Sequence, residues 1–312
     1  MPPLIPASAT VSGASPAAGR AVGGPARGGR AGTSSPARIV VRRLLRHPSV
    51  VVGGTLFLIV ILSAVLAPWL SPYAPFKANL RAPLDPPGAA HVMGTDRFGR
   101  DVFSRVLWGG RLSLTVGVVS VGIAAVCGVT LGLVAGYTGR RTEAVIMRTM
   151  DLLQAFPGIL LALAVIATLG SSLPNLMIAV GISAIPDYVR IARGAVLTVK
   201  EREFVLAARV VGCTDRAILL RHILPNVTAP LVVIATLGIA GAIITGSALS
   251  FLGLGVRPPT PEWGNMLAEG REFLARAWWV AFFPGLAIMA AVFAVNLLGD
   301  GLRDVLDPRF RS

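Results

Sequence analysis

"EREFVLAARVVGCTDRAILLRHILPN", residues 201–226, is charged and helical in its spacing, yet it is flanked on both sides by apolar stretches. On a helical wheel Phe204, Ala207, Ala208 and Val211 share one face, with Arg202 and Arg209 roughly opposite. Gly212 can supply the backbone turn that ends a first helix. Thr214 can cap a second, with Asp215 near its positive end. Pro225 is expected to end the element before the next apolar stretch. Spacing alone leaves two readings. One is an amphipathic helix lying on a lipid surface; the other is a face against which a partner docks.

The surroundings make this a membrane question. The chain has 312 residues, is 54% hydrophobic and has a mean hydropathy of +0.72, too apolar for an ordinary globular domain. Only 14% of residues are charged, and they are clustered, as a bilayer requires. The net charge of +14 fits basic residues that hold the cytoplasmic ends of membrane helices better than it fits nucleic acid. Cys127 and Cys213 are far apart, and His47, His91 and His222 are equally scattered, so neither a disulfide framework nor a metal site is expected.

Residues 1–37 are rich in Ala, Gly, Pro, Ser and Arg without an acid, and are expected to be a disordered cytoplasmic tail. Residues 38–110 hold a basic segment, the first span Pro48–Trp69 and an outside loop. Residues 111–312 form the core, with five further spans expected at Leu112–Gly136, Phe156–Leu169, Leu173–Pro186, Val227–Leu249 and Trp278–Leu298. "GSSLPN" (170–175) supplies the turn between the third and fourth spans of the six. With both termini inside, most of the 29 basic residues fall in inside segments, and 201–226 falls there too. The expected fold class is therefore all-α: a polytopic inner-membrane protein with six spans and a cytoplasmic helix–turn–helix.

The expected spans carry no Asp, Glu, Lys or Arg, which argues against a carrier powered by protons or ions. No G-x-x-x-x-G-K-[ST] occurs, and neither Lys77 nor Lys200 sits in a phosphate loop. No nucleophile–base pair or paired-carboxylate site is visible. The chain is expected to carry no catalysis and no cofactor, and a motor, if one exists, must be another polypeptide.

The 201–226 segment resembles the conserved cytoplasmic loop of permeases in bacterial ATP-binding-cassette importers, the EAA loop. Ala207, Ala208, Gly212, Leu224 and Pro225 match its pattern in register, whereas Leu206 stands where the family often has Glu and His222 where it has Ile. "HVMGTDRFGRDVFSRVLWGGRLSL" (91–114) and "SFLGLGVRPPTPEWGNMLAEGREFL" (250–274) are similar to the oligopeptide/dipeptide/nickel permease subfamily. "RRLLRHPSVVVGG" and "NLLGDGLRDVLDPR" (296–309) resemble its C-type subunit. The resemblance implies a type I importer permease with four partner classes: a second permease subunit, two ATPase subunits that bind ATP and Mg, an extracytoplasmic solute-binding protein, and lipid. It implies ATPase docking through Glu203, Phe204, Ala207, Ala208, Arg209, Val211, Gly212, Leu224 and Pro225. The implied solute is a di- or oligopeptide, with nickel or another small solute as the alternative. A channel or membrane scaffold without an ATPase is the competing class.

Two outside motifs carry a second expectation. In "GTDRFGRD" (94–101), Asp96 or Asp101 can pair with Arg97, Arg100 or Arg105, and Gly94 and Gly99 allow tight turns. The loop is either a clamp over the outer helix ends or, through Asp96, Arg100 and Asp101, a surface that meets the binding protein. Trp263, in "GVRPPTPEWGN" (255–265), is either a membrane-interface anchor, like Trp278 and Trp279, or a further contact. Residues 140–158 read as a cytoplasmic elbow. Residues 296–309 read as a short amphipathic helix held by Arg303 and Arg309 at the inner surface.

Overall fold

The computed structural model describes residues 42–306; the tail expected over 1–37, and Arg309, lie outside them. Within that range regular structure is helical, apart from one isolated bridge between Thr95 and Asp101. The helices of eight residues or more are α1 (Pro48–Val65), α2 (Val102–Thr138), α3 (Arg140–Gln154), α4 (Gly158–Leu169), α5 (Leu173–Lys200), α6 (Glu203–Val210), α7 (Asp215–Phe251), α8 (Trp263–Gly270) and α9 (Trp279–Leu306).

Five of them, α1, α2, α5, α7 and α9, are each long and apolar enough to cross a membrane. The third expected span is only the 12-residue α4. At 1.5 Å per residue it reaches about 18 Å, short of a hydrocarbon core of about 30 Å. It joins α3 at a 90° bend, so a sixth crossing exists only if the bent pair counts as one.

Three expected boundaries move. Pro186 does not end α5, which continues to Lys200. A proline costs one backbone hydrogen bond, and neighbouring helices can hold the rest of the ladder in place. Pro225 does not end the 201–226 element either. It lies in the first turn of the long stretch of α7 that follows a π-helical turn over Ile218–Ile223. There the Leu224 amide reaches back five residues to the Leu219 carbonyl. Wider spacing relieves the clash a proline ring makes with the carbonyl four residues earlier. Finally, among the described residues no separate helix follows the last span: α9 runs unbroken from Trp279 to Leu306.

Small residues set the closest packing. Gly128, Gly132 and Gly136 form a ridge along α2 against α5. A Cβ on Gly132 would stand 2.6 Å from the Ala192 Cβ and the Val189 carbonyl; one on Gly128 would stand 2.5 Å from the Tyr188 Cβ. Residues four apart share a helix face, so the ridge lets two backbones touch where a methyl would part them. At one end α3 lies along α5 through three polar pairs. These are Gln154 to Asp187 (2.8 Å), Arg190 to Asp151 (2.7 Å) and Arg193 to Glu143 (Nε to Oε1, 2.7 Å).

Candidate coupling site

α6 begins after Arg202 and ends where Gly212 adopts φ +87°, a left-handed conformation that suits glycine. The closing turn is hydrogen bonded: the Val211 amide donates to Ala207 O, Gly212 to Arg209 O and Cys213 to Ala208 O, each at 3.0 Å. The Thr214 Oγ1 then accepts from the Ala217 amide at 3.3 Å and caps α7. Tyr137, at the end of α2, donates to the Asp215 carboxylate. The Lys200 ammonium donates to Gly136 O (3.1 Å), a cation at the negative end of α2. The turn and the cap stand where sequence reasoning put them.

The two faces of α6 differ. Val205 and Ala208 point inward, at 0% and 9% exposure, into a core with Leu133 of α2, Val196 of α5 and Ile218, Ile223 and Val227 of α7. The outward side carries Glu203, Phe204, Leu206, Ala207, Arg209, Val210, Val211 and Gly212, with Val210 and Val211 at 88% and 82% exposure. Ala208, grouped by the wheel with a docking face, therefore belongs to the inner face. Leu224 is half-buried and packs on the same core, so it too supports the element from within; Pro225 is exposed. Val205, the residue that seats α6, was not singled out by sequence reasoning; its spacing three residues from Ala208 was the signal.

At the other end of the molecule the predicted contacts are not on the surface. Asp96, Arg100 and Asp101 are all buried, and Arg105 is 1% exposed. Arg100 donates from Nε to Asp96 (2.6 Å) and from Nη2 to Glu269 of α8 (2.9 Å). Arg105 lies 3.5 Å from Asp96 and 3.3 Å from Glu269, and its Nη1 donates to the Pro259 carbonyl at 3.1 Å. Asp101 caps α2 by accepting from the Ser104 amide (2.8 Å), and it meets His91 at 2.9 Å. Gly99 closes the loop with φ +70°; a Cβ there would lie 1.9 Å from the Asn79 carbonyl.

Trp263 is likewise inside, 3% exposed, with its indole donating to the Val106 carbonyl at 2.9 Å. Trp279 is buried and donates to Thr95 O (3.1 Å); Trp278 is exposed. Glu262, also missed, caps α8 by accepting from Gly264 and Asn265 and from the Ser113 hydroxyl. This end is a clamp. Linear charge density hid that, because Arg105 and Glu269 are 164 residues apart.

Two family models match the chain: the inner membrane component of binding-protein-dependent transport systems, over residues 128–312, and the N-terminal TM domain of oligopeptide transport permease C, over residues 35–87. The di/tripeptide transport system permease protein DppC of Pseudomonas aeruginosa is 46% identical over 273 residues, 85% of this chain and 90% of that protein. The glutathione transport system permease protein GsiD of Pectobacterium atrosepticum is 46% identical over 279 residues, 89% of this chain and 93% of that protein. In fold, the chain is similar to an inward-facing MetNI methionine ABC transporter, with a TM-score of 0.54 at 16% identity over 65% of this chain and 96% of that one. The chain belongs to the family of binding-protein-dependent transport system inner membrane components.

Proposed function

We propose that this permease subunit forms a translocation path with a second, homologous permease subunit and imports di- or oligopeptides. Two ATPase subunits, which bind the ATP and Mg, dock on the outward side of α6. An extracytoplasmic binding protein delivers the solute to the clamped end. Both termini lie in the cytoplasm of the bacterium. The charge bias supports that orientation. Relatives that bear the names di/tripeptide and glutathione permease support the peptide.

The observation that carries the docking reading is the two-sidedness of α6. Its inner residues are continuous with the cores of α2, α5 and α7, while Phe204, Ala207 and Val211 are presented outward. A partner that pushes on that side pushes on three spans. ATP-driven closure of the ATPase pair would thus open the spans outward, and reopening would release solute inward.

The test is Ala207→Glu in the assembled importer. Ala207 is exposed, so the charge meets no core. Co-purified ATPase subunits are expected to fall at least tenfold, with peptide uptake lost and the permease still monodisperse. Full ATPase recovery with normal uptake refutes docking on this side. Uptake by the wild-type assembly without ATP refutes the importer reading itself.

A further inference from the structure

Between α5, α7 and α9, beside α6, lies a cavity of about 820 Å³. Its length follows α7 from Asn226 to Leu237, about 16 Å at the helical rise. Along α7 toward Leu237 its lining is apolar, with Val233 and Ile234, and α5 contributes the small residues Gly194 and Thr198. Its end nearest α6 carries Arg202, Asn226 and Arg303. Neither guanidinium has a carboxylate within 4.0 Å among the described residues.

We propose that this cavity is the inner vestibule of the solute path, and that Arg202, Arg303 and Asn226 at its mouth hold the C-terminal carboxylate of a departing peptide. The inference rests on the peptide-import reading. Extended chain spans at most about 3.3–3.6 Å per residue, so the cavity takes a peptide of up to four residues. Guanidinium forks are donors suited to a carboxylate, as is the one Asn226 amide N–H not given to the His222 carbonyl (2.6 Å), and the rest of the lining makes few demands on side chains. That suits an importer whose selectivity resides in a separate binding protein. The mouth is also mechanical. Arg202 is the residue immediately before α6, and Arg303 belongs to α9, so displacement of α6 changes the spacing of the two cations.

Gly194 makes the test clean, because a Cβ there meets nothing within 4 Å. Gly194→Leu narrows the vestibule from a position where the first added carbon meets no neighbour. In proteoliposomes holding the complete importer, it is expected to cut dipeptide uptake at least tenfold while ATPase subunits co-purify as in the wild type. A second variant blocks after folding. With Cys127 and Cys213 replaced by Ser, Thr198→Cys is treated with a bulky methanethiosulfonate; uptake is expected to fall and to return on reduction. Arg303→Gln is expected to weaken crosslinking of a photoreactive dipeptide to the vestibule, and amidation of that dipeptide's C-terminus is expected to remove the difference. Normal uptake in both blocked proteins overturns the vestibule. Anionic phospholipid lost from Gly194→Leu with uptake unchanged does so too, and assigns the cavity to lipid. Equal crosslinking of acid and amide in wild type and Arg303→Gln overturns the carboxylate mouth. A wild-type importer that moves no peptide overturns the import reading instead.

Discussion

Neighbouring residues on a helix point about 100° apart, so Ala207 and Ala208 cannot serve one surface equally. Val205 settles the phase. A buried valine three residues before Ala208 fixes that pair inward and turns Ala207 out. The exposed alanine tolerates size and the buried one does not. Ala208→Leu is expected to destabilise the permease by about 1–3 kcal/mol, the usual cost of overfilling a packed core. Ala207→Leu is expected to change thermal unfolding in detergent little. Equal shifts for the two would mean that α6 is not seated as described. At the opposite end the decisive residue is Arg105, buried between Asp96, Glu269 and the Pro259 carbonyl. Removing one member of a buried ionic set leaves uncompensated charge. Arg105→Leu is therefore expected to cost about 3–5 kcal/mol, read as a drop in the unfolding midpoint. A comparable change at Lys77, which is exposed, is the control.

At the scale of elements, apolar runs located the spans, and their ends were lost wherever the chain broke a local rule under tertiary support. Pro225 read as a terminator because proline lacks an amide, and Pro186 as the last residue of an uncharged stretch. Yet α5 holds its course through contacts with α2 and α3, and α7 absorbs its proline behind a π turn. α4 read as a full span because its hydropathy continues into α5's run; its 12 residues and the 90° bend from α3 show that it does not cross alone. The turn at Gly212 and the cap at Thr214 were legible because their chemistry is local. Glu269 was not, because a buried pair across 164 residues leaves no periodic trace. The α2–α5 seam was visible only as a richness in small residues, and the structure turns it into a specific ridge. Gly132→Leu is expected to separate the two helices. The permease should then fail to reach a monodisperse state or unfold well below the wild type, whereas Gly122→Leu, with nothing within 4 Å of its Cβ, should not. Similar behaviour of the two variants would refute a glycine-dependent seam.

For the whole molecule the issue is how a push at α6, where we propose that the ATPases dock, would become a movement of spans. α6 touches the rest through a small set of apolar contacts on α5 and α7, in a core that also holds Leu133 of α2. The far ends of α2 and of the segment after α7 are fastened by the clamp through Arg100, Arg105 and Glu269. A bundle pinned at one end and driven at the other rocks about the pinned end, the rigid-body motion that alternating access needs. The drive then depends on how tightly α6 is seated, which is separable from whether the ATPases bind. Val205→Ala removes two methyl groups from a fully buried position and leaves the outward side of α6 unchanged. ATPase subunits should co-purify normally and ATP hydrolysis should persist, while solute moved per ATP hydrolysed falls several-fold. The check is simultaneous measurement of uptake and phosphate release in proteoliposomes. An unchanged ratio would show that force reaches the spans by a route other than the Val205 seat, with the linker between Lys200 and Glu203 as the remaining covalent path on that side.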